Sequence, residues 1–175
     1  MTNTEIKAMI EHYDIVRVGD EIGIRKNIPE AKKNIDAITA AKPELVAYFK
    51  AEESRRADEA RKKEETFNSI PGVRELLAAA DEWENYNYNF QRCMDEGNGR
   101  LPAKPKSSIK ELKERYPDAA FAIQVTDEYQ LGHNYELISI AKRAYEALRD
   151  GQAVAEVRTS YKKEKDEWLH RHAWD

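Results

Sequence analysis

The chain has 175 residues, with 29 lysines and arginines against 33 aspartates and glutamates, four histidines and one cysteine, and a formal net charge of -4. Hydrophobic residues make up 41% and charged residues 35%, the balance of amphipathic helices with solvated outer faces rather than of a disordered chain. The acidic balance argues against general affinity for nucleic acid backbones, the lone Cys93 rules out an intrachain disulfide, and no run approaches the roughly 18 apolar residues of a membrane span. With no basic-then-apolar leader at the N-terminus, the expected location is the host cytoplasm.

Taken in order, Ile6, Met9 and Ile10 have helical spacing, with Asn3 or Thr4 available as the cap. Two β-rich runs follow, Ile15 to Val18 and Glu21 to Arg25, separated by Gly19-Asp20, a pair that tolerates the positive φ of a two-residue hairpin turn. Val16 and Val18 share one face, as do Ile22 and Ile24, so each strand can bury one side. An isolated hairpin is marginal in water and needs the flanking helices. Pro29 opens a helix bearing Ala31, Ile35 and Ile38, and Pro43 breaks it and restarts it as Glu44 to Phe49.

The αββαα order over residues 1–50, the Val-Arg-Val-Gly-Asp-Glu-Ile-Gly-Ile hairpin at 16–24 and the Lys42-Pro43-Glu44-Leu45-Val46 step resemble a known family. It is that of the small N-terminal docking domains of the TubC type, first described on polyketide and nonribosomal peptide synthetases and related to the start of phage replication proteins. The resemblance implies a hairpin module that forms a homodimer and binds a linear segment of a partner protein, without catalysis. Val16, Val18, Ile22 and Ile24 are the expected contacts. No carrier or condensation module follows, so the resemblance speaks to fold more than to a biosynthetic role.

Residues 51–69 read as a charged helical linker. Opposite charges at helical spacing, Glu52 with Arg56, Asp58 with Lys62 and Glu59 with Lys63, would each contribute about 0.2 to 0.5 kcal/mol. Ile70-Pro71-Gly72 punctuates the chain and opens a helical bundle domain over 70–175. A long helix is expected from Val73 to about Glu96, with Val73, Leu76, Leu77, Ala80, Trp83, Tyr86, Phe90 and Met94 recurring at intervals of three and four, as one buried stripe demands. Its Trp83-to-Phe90 stretch holds more aromatics and amides than a core helix needs, which marks Tyr86, Tyr88 and Asn89, with Asn85, as partner-binding.

Gly97 to Lys106 is the main loop, and Arg100, Lys104, Lys106, Lys110, Lys113 and Arg115 gather there and just beyond. Pro117 ends one helix and suits the first turn of the next, which carries Ala120, Phe121, Ile123, Tyr129 and Leu131. After the Gly132-His133-Asn134 turn, Leu137, Ile138, Ala141, Ala144, Tyr145 and Leu148 form a third helix that Gly151 stops. A final helix carries Val154, Val157, Tyr161 and Trp168, and the penultimate Trp174 is expected to pack against the bundle. The predicted class is thus mainly α with one small β-hairpin. Leu112 to Ala120, Ala141 to Gly151 and the Trp168-to-Asp175 ending resemble small proteins of bacterial phages and prophages. Such genes often encode accessory products that act on host proteins, including inhibitors of CRISPR and other defence systems.

Motifs for chemistry are missing. His170 and His172 are two apart, which on a helix separates them by about 200°, unlike the i, i+4 pair of a zinc helix. Cys93 beside Phe90 and Met94 reads as a small hydrophobe, His133 as a turn residue, and no phosphate loop, nucleophile elbow or dinucleotide fingerprint occurs. No catalysis, metal or cofactor is therefore expected, and a small hydrolase or transferase would need carboxylates that sequence cannot place. Residues 117–141 hold no lysine or arginine, while Asp118, Asp127, Glu128 and Glu136, with Asp81, Glu82 and Glu84, could form an acidic surface suited to a basic channel on a host enzyme. The expected function is stoichiometric, non-enzymatic protein binding by a phage accessory factor that inhibits a bacterial defence protein. The alternative is a nucleic-acid role through Lys104, Lys106, Lys110, Lys113 and Arg115.

Overall fold

The computed structural model describes residues 1–25, 34–97 and 101–173. The expectations resting on Pro29, Ala31, Arg100 and Trp174 lie outside them. Among the described residues the chain is mainly helical with one antiparallel hairpin: α1 (Asn3–Tyr13), β1 (Ile15–Val18), β2 (Glu21–Ile24), α2 (Ile35–Ala40), α3 (Lys42–Asn68), α4 (Val73–Glu96), α5 (Ile109–Arg115), α6 (Pro117–Leu131), α7 (Tyr135–Arg149) and α8 (Val154–Arg171). Two compact units divide at Arg61 and Lys62, inside α3.

In the first unit, α1 is capped one residue earlier than expected. Glu5 is the reason: the Thr2 hydroxyl accepts the Glu5 N–H while the Glu5 carboxylate accepts the Thr2 N–H at 2.8 Å, a reciprocal box that places the cap at Thr2. The Gly19 turn has φ +64°, and the register it sets opposes Ile15 to Ile24 and Arg17 to Ile22. Opposed residues share a face, so Ile15, Ile22 and Ile24 pack with Ile6, Ile38, Ala41 and Leu45 in the core. The buried side of β1 is thus Ile15 and not the valine pair: Val16 faces Gly23 on the opposite side, and Val18 is 67% exposed. Arg17, Asp20 and Glu21 bridge to Glu53, Lys50 and Lys42, tying the hairpin to α3.

The exposed middle of α3 uses other partners than the simple i, i+4 series. Arg55 reaches both Glu52 and Glu59, Arg61 reaches Asp58, and Lys63 leaves the helix for Asp150. Arg55 has a choice of carboxylate one turn either way, so Arg56 is not needed by Glu52.

The second unit is centred on α6, α7 and α8. Phe121, Ala122, Val125, Ile140, Ala141, Ala144, Leu148, Val157 and Tyr161 bury one another, with Phe67 from the end of α3 and Val73, Leu76 from the start of α4. Gly72 is the hinge of that start. Its φ is +91°, and a Cβ there would lie 2.1 Å from the Tyr116 ring, so only glycine lets α4 leave α3 beneath that tyrosine. Asn134 caps α7 by accepting the N–H groups of Glu136 and Leu137.

Candidate protein-binding surface

The buried stripe expected along all of α4 ends early. Val73, Leu76 and Ala79 are buried; Leu77 and Ala80 are exposed; beyond them Trp83, Tyr86 and Phe90 are half-buried, and Met94 is 61% exposed. The residues Trp83, Tyr86, Phe90 and Met94 belong to neither core cluster. The periodicity that reads as burial is real, but the second half of the helix outruns the core that covers the first half.

This distal half is ordered by its own contacts. Trp83 Nε1 donates to the Ser107 carbonyl oxygen at 2.8 Å, fixing the returning 101–108 segment beside the helix, and Lys104 Nζ stands 5.4 Å from the indole centroid. Tyr86 meets Trp83 edge-on at 5.7 Å between centroids and Phe90 at 5.9 Å. The result is a narrow aromatic line with a sulfur residue at its end. At 100° per residue, Tyr88 and Asn89 lie off this line. Tyr88 is 68% exposed on the far side, and the Asn89 amide donates back to the Asn85 carbonyl at 2.8 Å. Of the α4 residues expected to bind a partner, only Tyr86 lies on the apolar line.

The other expected contacts fall elsewhere. In the hairpin, Ile22 and Ile24 turn toward the core while Val16 and Val18 face away, so these four residues do not share a surface. Asp127 is exposed on α6. Glu128, its neighbour, accepts from Tyr161 OH, from Gln124 at 2.8 Å and from Lys165 at 2.9 Å to each carboxylate oxygen, and Lys165 also reaches Tyr161 OH at 3.1 Å. Partial burial alone would raise the Glu128 carboxyl, but the hydrogen bonds from Lys165, Tyr161 and Gln124 outweigh it and hold it below its ordinary range. Burial and the Glu128 carboxylate push the Tyr161 hydroxyl up. Burial opposes the charge on Lys165, yet its bonds to Glu128 and Tyr161 raise it. Asp118 is likewise paired, with Arg158 at 2.7 Å. The absence of cations within 117–141 is therefore no guide to the surface, because α8 supplies Arg158 and Lys165 across the helix interface. The network was missed in sequence because its members are 33 and 37 residues apart.

Lys104, Lys106, Lys110, Lys113 and Arg115 are all exposed. On α5 Lys110 and Lys113 share a face, whereas Arg115 is about 200° from Lys113 and points away. The five cations do not line one track. The groove between α7 and α8, of about 330 Å³, is polar and is crossed by the Arg143–Glu164 ion pair. Among the described residues no group of three His, Cys, Asp or Glu side chains could hold a metal ion, and no helix is long and apolar enough to cross a membrane. Comparison of the chain with protein-family models, with curated proteins and with solved structures gives no match.

Proposed function

We propose that the chain is a stoichiometric protein-binding factor whose contact surface is the distal half of α4. The observation that carries this reading is the Trp83, Tyr86, Phe90 and Met94 line, which continues the stripe of the core for about four turns past its last buried residue, Ala79. Aromatic residues and methionine are what protein interfaces concentrate, and a rigid helix presents them at little entropic cost. In keeping with the phage-protein resemblance, a bacterial defence protein is the first partner to test, held and thereby inhibited by occupancy.

The experiment is an affinity capture from bacterial lysate, with and without nuclease, using the native chain and Phe90→Asp. A protein recovered near one-to-one after nuclease treatment, and lost with Phe90→Asp, supports the reading. Material that vanishes with nuclease and is indifferent to Phe90 moves function to Lys104, Lys106, Lys110 and Lys113 and refutes it.

A further inference from the structure

We propose that the hollow beside Trp83 binds a small phosphate ester of a flat ring, the chemistry of a nucleoside monophosphate. The hollow measures about 440 Å³ and is lined by Trp83 and by each residue from Lys104 to Ile109. It is independent of the protein-binding reading, because it uses the basic segment which that reading leaves idle. Its lining is divided by chemistry. Trp83, Pro105 and Ile109 are half-buried apolar surfaces, whereas Lys104 and Lys106 are exposed and are its only charged residues. No carboxylate lies in the wall to offset the two ammonium groups, so the hollow attracts anions. Lys104 leans on the indole, 5.4 Å from its centroid, instead of on an acid, and its N–H donors stay open. Lys106 has no ion pair among the described residues. The Ser107 hydroxyl makes no hydrogen bond there either, and the Ser108 hydroxyl accepts the Glu111 N–H, which leaves its own proton to donate.

The hollow is built in advance of any ligand. Trp83 Nε1 donates to the Ser107 carbonyl oxygen at 2.8 Å, and the Ser108 cap ties the segment to α5. Pro105 sets its own φ and holds Lys104 extended, so a stiff stretch of chain presents the two lysines and little ordering is left for binding. Shape then decides among anions. The volume falls within the range of about 300 to 1,000 Å³ typical of small-ligand sites. A bare phosphate would leave the indole, proline and isoleucine surfaces uncovered. A nucleic acid strand needs a continued track of cations, which Arg115 breaks by turning away from Lys113. A flat ring on the apolar wall, with its phosphate against Lys104, Lys106 and the serine hydroxyls, uses the whole lining.

The test is isothermal titration calorimetry of the full chain with AMP, GMP, CMP and UMP, with ribose 5-phosphate, and with a 12-nucleotide single strand. At least one mononucleotide should saturate a single site and bind about tenfold or more tightly than ribose 5-phosphate. Lys104→Ala/Lys106→Ala, at two exposed positions, should weaken that binding at least about tenfold with the helical circular dichroism unchanged. Lys110→Ala/Lys113→Ala, outside the lining, should leave it within about twofold. No saturation by any mononucleotide below about 5 mM would overturn the inference, as would binding indifferent to Lys104 and Lys106. Ribose 5-phosphate bound as tightly as the nucleotide would show that the apolar wall holds nothing, and would overturn it too. So would a strand that binds more tightly than any mononucleotide and is weakened by Lys110→Ala/Lys113→Ala, since the cations would then serve a surface track.

Discussion

Replacing Glu128 by lysine should damage the fold, whereas the same change at Asp127, one residue away, should not. Glu128 and Lys165 are each 29% exposed and share two hydrogen bonds, with Tyr161 and Gln124 completing the cluster. A hydrogen bond to a charged group is worth about 1.5 to 3 kcal/mol when buried, and partial solvent access reduces the whole cluster to roughly 2 kcal/mol. Lysine at 128 also sets two ammonium groups together, adding about 1 to 2 kcal/mol at an intermediate dielectric. The expected loss for Glu128→Lys is therefore about 3 kcal/mol, or roughly 10 °C in Tm, and for Asp127→Lys it is within about 0.5 kcal/mol. Urea unfolding of the full chain with helical circular dichroism reads both. Equal stability of the two variants would show that the cluster contributes nothing and refute the reasoning. The pH arm has a defined sign: because the folded carboxyl sits below its ordinary 4.5, its contribution is present above that pH and is lost as pH falls through the lower folded value. The gap between the native chain and Glu128→Gln should close in that acid range.

Four further outcomes are expected. Gly72→Ala combines a positive φ with a collision on Tyr116, and should cost at least about 2 kcal/mol in thermal unfolding; a neutral result would mean that α4 can leave α3 by another path. Leu148→Ala, at 1% exposure in the centre of the bundle, should cost about 2 to 5 kcal/mol in urea titration. Leu76→Ala should cost a similar amount and Phe90→Ser less than about 1 kcal/mol, a contrast that fails if the distal half of α4 is core after all. Raised Tyr161 and Lys165 values make their contribution full below about pH 10 and lost above it, so Tyr161→Phe should narrow the alkaline decline seen in a pH series of melts.

Local signals carried the fold well. Pro117 divides α5 from α6, Asn134 and Gly151 bound α7, and Gly19 sets the hairpin, because each acts through its own backbone within a few residues. What sequence misassigned is what depends on distant neighbours. Period-two alternation gives β1 two faces but not which one is buried; Arg17, tied to Glu53 on α3, occupies the face that valine was free to take. The α4 stripe has helical period throughout, yet periodicity cannot say where the covering helices stop. Of the candidate surface, Tyr86 is legible in its aromatic run, whereas Trp83, Phe90 and Met94 read as buried because periodicity does not show that the core ends at Ala79.

The 27 residues of α3 are one helix with buried side chains only toward its two ends, Leu45 in one core and Phe67 in the other. Starting a helix is the costly event and lengthening it is cheap, so one initiation serves both units. Ala57→Pro, at an exposed position between Leu45 and Phe67, should interrupt the helix and leave both cores intact.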